Sequence, residues 1–159
     1  MLENKEKFIE EITSLTEELI SKIGIEGTIS VTEDEERGYS LIVSVVTTDK
    51  VDDIIGRNGN GLKSTEHILR VLANKRISKD IHMNFVLDIN DYRKTKTNHL
   101  IKLAKDTAER VKASRKAEAL NPMSSYERRI VHLELASHSD ITTESIGEDP
   151  KRRIVIKPL

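Results

Sequence analysis

The sequence predicts an α+β chain of two small modules joined by a long helix. Three patterns carry that expectation: apolar residues at helical spacing from Asn4, strict alternation between Ile81 and Ile89, and a closing pair of β-branched runs around Gly147–Pro150. At 159 residues the chain fits one ordinary domain or two small ones. The predicted first module, residues 1–90, reads α-β-β-α-α-β, and the second, residues 91–159, holds the long helix, a shorter helix and a terminal β-hairpin.

Each element follows from local residues. Phe8, Ile12, Leu15, Leu19 and Ile23 recur at steps of three and four, and Gly24 stops the helix they mark. Ile29 and Val31 alternate with polar neighbours, Glu33–Gly38 reads as a turn, and Tyr39–Val46 is β-branched and apolar, which makes a hairpin. Thr47, Thr48 and Asp49 are suitable helix caps for a short stretch Val51–Ile55. After Gly56-Arg57-Asn58-Gly59 comes a helix bearing Leu62, Ile68, Leu69 and Leu72, which Gly61 weakens by about 0.5–1 kcal/mol relative to alanine. Ile81, Met83, Phe85, Leu87 and Ile89 then alternate with His82, Asn84, Val86 and Asp88, a strand with one buried face.

Asp91 is a candidate cap for the linking helix, whose stripe is Leu100, Leu103, Ala104, Ala108 and Val111 and whose end falls near Ser114. Neither Gly nor Pro occurs between Leu62 and Asn121, so that helix is expected to span the module boundary. Asn121-Pro122-Met123-Ser124 breaks the pattern and caps a helix carrying Tyr126, Ile130, Leu133 and Leu135. Thr142–Ile146 and Arg152–Lys157 form the hairpin across Gly147-Glu148-Asp149-Pro150.

The net charge of −1 conceals an asymmetry. Lys and Arg number 11 against 17 Asp and Glu over residues 1–90, but 15 against 10 over residues 91–159, so the second part offers the surface a polyanion prefers. The chain has no cysteine, which excludes disulfides and thiolate metal sites. Its N-terminus lacks the apolar core of a signal peptide and no apolar run approaches the roughly 20 residues that span a bilayer, so a cytoplasmic location without membrane insertion is expected.

Two constellations can carry chemistry. Gly56-Arg57-Asn58-Gly59 removes side chains that would block a nucleic-acid backbone, and the helix start behind it favours an anion. Arg57 and Asn58 occupy its tip, and Lys63, one turn on, extends the positive rim. On spacing alone such a loop is more often a plain helix corner. What favours RNA is the surrounding element order, since KH modules clamp nucleotides with this loop between two helices. The second constellation is Arg128 and His132, four apart on one helix face, where a guanidinium fork and an imidazole can grip phosphate without reading a base. The same pair in isolation is also a common structural feature. Arg129 points roughly 100° away and is expected to serve the fold.

With Leu87-Asp88-Ile89-Asn90-Asp91-Tyr92-Arg93, Asn121-Pro122-Met123-Ser124-Ser125-Tyr126-Glu127-Arg128-Arg129-Ile130-Val131-His132, Thr142–Ser145 and Arg152–Ile156, the chain resembles the Jag family of sporulation-associated RNA-binding proteins. The resemblance runs from about Ile25 to Lys157. It implies a type II KH-like domain followed by a small α/β R-three-H domain, named for the spacing of Arg128 and His132. Further implied are binding of single-stranded RNA, with ssDNA open as an alternative, and a regulatory part in cell elongation, division or sporulation. A partner KH protein and an indirect link to a membrane insertase belong to the same implication. Two departures stand out: only one helix precedes the KH-like module, where many members carry a further domain, and Asn58 replaces a second basic loop residue.

Catalysis is not expected. No paired carboxylates, Ser-His-Asp arrangement or phosphate-loop signature has the required spacing, so neither an enzyme nor a cofactor is foreseen. His132, Glu134, His138 and Asp140 form a loose cluster without a metal motif. The chain holds two Phe and three Tyr, and Phe8 and Phe85 fall on apolar faces, so stacking of several bases is not foreseen. The competing readings are a protein-interaction adaptor on the same fold, favoured by Asn58 and the acidic first part, and a nuclease.

Overall fold

The computed structural model describes residues 2–33, 40–77, 81 and 83–159. The turn expected at residues 34–38, Tyr39 and the alternating His82 lie outside the described residues. The chain divides into two compact units, Met1–Tyr92 and Arg93–Leu159, and the fold is mixed α and β throughout, with one small sheet in each unit.

Unit 1 contains α1 (Leu2–Ile23), β1 (Thr28–Glu33), β2 (Ser40–Val46), α2 (Asp52–Ile55), a single 3₁₀ turn at Arg57–Gly59, α3 (Asn60–Arg76) and β3 (Asn84–Ile89). The sheet order is β1-β2-β3. β1 and β2 are antiparallel, with Thr28 opposite Val46, whereas β2 and β3 are parallel, with Leu41 opposite Phe85 and Val45 opposite Ile89. A parallel pair needs a long crossover, which α2 and α3 supply. Leu41, Val43, Val45, Phe85, Leu87 and Ile89 turn one sheet face inward against Phe8, Ile12 and Leu15 of α1 and Leu62, Leu69 and Ala73 of α3.

The helical stripes depart from the sequence reading in register. Ile23 is 44 % exposed and Ile68 48 % exposed, while Thr16, Ile20, Thr65 and Ala73 are buried in their place. The threonines can occupy core positions because each hydroxyl donates to a carbonyl one turn back, Thr16 to Ile12 at 2.6 Å and Thr65 to Gly61 at 3.0 Å, so neither buried donor is left unmade. Thr47 and Asp49 do not cap α2, which starts from Val51 without a side-chain cap. They tie the sheet end instead: Asp49 accepts the Glu26 amide at 2.8 Å, and Thr47 exchanges backbone hydrogen bonds with the Asn90 side chain at 2.9 and 3.0 Å.

Gly61, unfavourable within its own helix, is required by packing. A Cβ there would sit 2.2 Å from the Ile54 carbonyl oxygen, so glycine is what lets α2 lie directly on the first turn of α3. β3 is an outer strand, and α3 covers its edge: Glu66 accepts the Leu87 amide at 3.0 Å and Arg70 donates to the Phe85 carbonyl at 2.7 Å. Capping those groups blunts a strand edge that would otherwise invite pairing.

Unit 2 comprises α4 (Tyr92–Ser114), which begins at the boundary residue, then β4 (Glu118–Ala119), α5 (Ser125–Leu135), β5 (Ile141–Ile146) and β6 (Arg153–Pro158), with sheet order β4-β6-β5. Leu100, Ala104, Ala108 and Val111 of α4 pack with Val131 and Leu135 of α5 and with Ile141, Ile154 and Ile156 of the sheet. The hairpin pairs Ile146 with Arg153. β4 has no counterpart in the sequence reading, since two residues cannot display a period. Asp91 adopts φ 54°, not the extended backbone of a helix cap. On α5 the buried positions are Arg128, Val131 and Leu135, while Tyr126 and Leu133 are 56 % and 66 % exposed.

Candidate nucleic-acid interface

The glycine loop of unit 1 joins α2 to α3. Gly56 adopts φ 66°, ψ 176° and Gly59 φ 82°, both conformations that favour glycine. Asn58 also takes a left-handed conformation at φ 58°, which asparagine tolerates better than most residues. Gly59 is buried, and a Cβ there would lie 2.8 Å from the Tyr92 ring, so the second glycine also admits a close aromatic neighbour. Arg57, Asn58 and Lys63 are all exposed, the first two at the tip and Lys63 on the first turn of α3. No side-chain hydrogen bond from the cap position Gly59 closes that turn, and the Asn60 amide donates to the Arg57 carbonyl. Asp52 and Asp53 on α2 are exposed carboxylates beside this loop and oppose a polyanion.

In unit 2 the site is built on α5. Ser124 caps the helix at φ −63°, ψ 162°, its hydroxyl accepting the Glu127 amide at 3.4 Å while the Glu127 carboxylate accepts the Ser124 amide at 2.7 Å. Lys96 adds an ion pair to Glu127 at 2.7 Å. Burial pushes the Glu127 carboxyl up, but the hydrogen bonds from Lys96 and Ser124 and the lysine charge outweigh it and hold the pKa below the ordinary 4.5. A carboxylate depressed on folding stabilises the fold above its unfolded pKa, and that contribution is lost as the pH falls through the folded value. Glu127→Gln is therefore expected to be less stable than wild type at neutral pH, with the gap closing as the pH drops past about 4.5. Melting temperatures of both proteins across that range check it, and a gap independent of pH would contradict it.

Arg128 is only 7 % exposed. Its Nη1 donates to the Met123 carbonyl at 2.7 Å and to Asp149 Oδ1 at 3.2 Å, clamping the start of α5 to the β5–β6 turn. His132, one turn on, is half-buried and its Nδ1 lies 2.6 Å from the Thr143 hydroxyl on β5. Arg128 and His132 thus share a helix face that borders the hairpin. Arg129, expected to serve the fold, is exposed. The two adjacent arginines have exchanged the burial foreseen for them because Asp149 and the Met123 carbonyl stand on the inner side.

Sequence reasoning misses Asp149 and Thr143 as partners of this pair; their only signal is membership of the turn cluster and of the Thr142–Ser145 block. The loose cluster of His132, Glu134, His138 and Asp140 is dispersed onto other partners. Glu134 pairs with Lys105 at 2.9 Å, and Lys112 meets His138 at 3.1 Å and Asp140 at 3.8 Å. Among the described residues no group of three or more His, Cys, Asp or Glu is arranged to hold a metal ion, and no helix is long and apolar enough to cross a membrane.

Residues 98–158, which contain Arg128, His132 and the hairpin, match the family model of the R-three-H domain. The second unit thus carries an R-three-H domain. Its relatives include proteins named RNA-binding protein KhpB. That of Lactiplantibacillus plantarum is 38 % identical over 109 residues, covering 69 % of this chain and 33 % of the relative. The Clostridium symbiosum protein is 35 % identical over 68 % of this chain and 48 % of its own length. The Bacillus subtilis protein is 31 % identical over 70 % of this chain and 53 % of its own. The chain thus spans between a third and about half of the length of these relatives.

Proposed function

We propose that this R-three-H-domain protein binds single-stranded RNA as a post-transcriptional regulator and is not an enzyme. The observation that carries the reading is the R-three-H segment 98–158, in which Arg128 and His132 stand on one face of α5, in a chain similar to proteins named for RNA binding. In this reading His132 and the Nη2 and Nε hydrogens of Arg128 meet phosphate, while Nη1 stays committed to Met123 and Asp149. Unit 1 is read as a type II KH-like module. Its order α1-β1-β2-α2-α3-β3, the parallel β2–β3 pair and the glycine loop between α2 and α3 support that reading. Gly56, Arg57, Asn58, Gly59 and Lys63 then form its backbone clamp. A partner KH protein, an indirect link to a membrane insertase and a role in cell elongation, division or sporulation follow from the family resemblance alone.

Binding of a single-stranded oligoribonucleotide as a function of salt tests the reading. Neutralising Z phosphates on a single strand gives a log-log slope of about −0.7Z, so a slope steeper than about −2 is expected if three or more cations engage. The second reading, an adaptor with little RNA affinity, draws on Asp52 and Asp53 beside the glycine loop and on Asp149 against Arg128; it predicts a flat salt response. Labelled RNA left intact with and without divalent metal separates either reading from a nuclease.

A further inference from the structure

The outer face of α5 combines groups that a single strand could use. Tyr126, Arg129 and Leu133 stand at i, i+3 and i+7 and so project on one side of the helix. Tyr126 is 56 % exposed and Leu133 66 % exposed, and Arg129 is exposed between them. Half-buried His132 borders this strip on the side toward the hairpin, so the strip begins where the Arg128–His132 face ends. An exposed aromatic ring, a guanidinium and an aliphatic side chain in one row offer flat surface and positive charge together.

We infer that Tyr126 is a stacking platform for one nucleobase of the bound single strand, with Arg129 holding the adjoining phosphate and Leu133 extending the apolar floor. This rests on the RNA-binding reading and deepens it from phosphate contact to base contact. The size of the strip decides the occupant: three side chains fall far short of the roughly 800 Å² per partner of a stable protein interface, whereas one base covers one tyrosine ring. The charge agrees, since a cation sits between the apolar groups in the part of the chain where Lys and Arg outnumber Asp and Glu by 15 to 10 over residues 91–159. Among the described residues the other tyrosine, Tyr92, is packed against Gly59 in the glycine loop. Stacking tolerates every base, so the site adds affinity with little sequence preference.

The test compares a base-bearing oligoribonucleotide with an abasic ribose-phosphate oligomer of the same length, using the full chain. Tyr126→Ala is expected to weaken the base-bearing oligomer by about tenfold, within the range for loss of one stacked base, and to leave the abasic oligomer unchanged. Tyr126→Trp retains wild-type affinity for both. Arg129→Ala weakens both oligomers and flattens the salt slope by about 0.7, the value for one phosphate. Equal losses for both oligomers in Tyr126→Ala, or no loss in either, overturn the stacking role while the RNA reading stands. A wild-type protein that binds neither oligomer overturns the RNA reading and this inference together. Melting temperatures of the variants separate a weakened interface from a weakened fold.

Discussion

Arg128→Ala is expected to destabilise the R-three-H unit by about 2–4 kcal/mol. The guanidinium is buried and spans two acceptors, the Met123 carbonyl at 2.7 Å and Asp149 at 3.2 Å. Removing it strands a half-buried carbonyl at the start of α5, which costs about 1–3 kcal/mol, and leaves a cavity where the aliphatic stem lay. The freed Asp149 adds little, because its side chain is 70 % exposed and already solvated. Arg128→Lys restores charge without the fork that reaches both acceptors, so recovery is partial. Asp149→Asn is the milder control, since it leaves the Met123 bond in place. Urea denaturation with an unchanged m-value reads the loss.

The same variant tests the RNA reading. Measured where the protein remains folded, Arg128→Ala is expected to weaken all RNA sequences about equally and to flatten the salt slope by about 0.7. Loss of stability with intact RNA affinity would reduce Arg128 to a structural clamp and leave His132 and Arg129 to meet phosphate on α5.

That two-part outcome marks where the sequence stops being informative. The stripe Leu100, Ala104, Ala108 and Val111, the alternation Phe85, Leu87 and Ile89, and the cap at Ser124 are local patterns, and each stands in the structure as read. The spacing of Arg128 and His132 is local too and places them on one face. Which of Arg128 and Arg129 turns inward is not given by helix spacing, because the acceptors are the Met123 carbonyl ahead of the helix and Asp149, 21 residues away in the hairpin turn. Thr16 and Thr65 occupy core positions by bonding to backbone one turn back, which a hydrophobic pattern does not register. Gly61 looks like a defect within its own helix and becomes necessary only when α2 is laid against it. The local code thus placed the candidate residues on their elements, and long-range partners decided which of their atoms face solvent.

Replacing Arg57 and Asn58 together by aspartate is expected to abolish RNA binding through unit 1 while leaving its fold intact. Both side chains are exposed, so stability should change by no more than about 0.5 kcal/mol. The backbone also accepts the change: Asn58 sits at φ 58°, and aspartate enters the left-handed region nearly as readily as asparagine. The electrostatic effect is large by comparison. One cation disappears and two carboxylates arrive at the tip, where Asp52 and Asp53 already stand on the adjoining helix. A phosphate approaching the amides of α3 would then meet like charge from both sides, and the variant's salt slope should flatten by about 0.7 for each phosphate that is no longer neutralised. Charge is separated from loop shape by Arg57→Gln, which removes one cation without reversing the field and should weaken binding far less. If the double variant binds RNA as tightly as wild type while Arg129→Ala does not, the glycine loop is a helix corner and the R-three-H unit alone carries the nucleic acid.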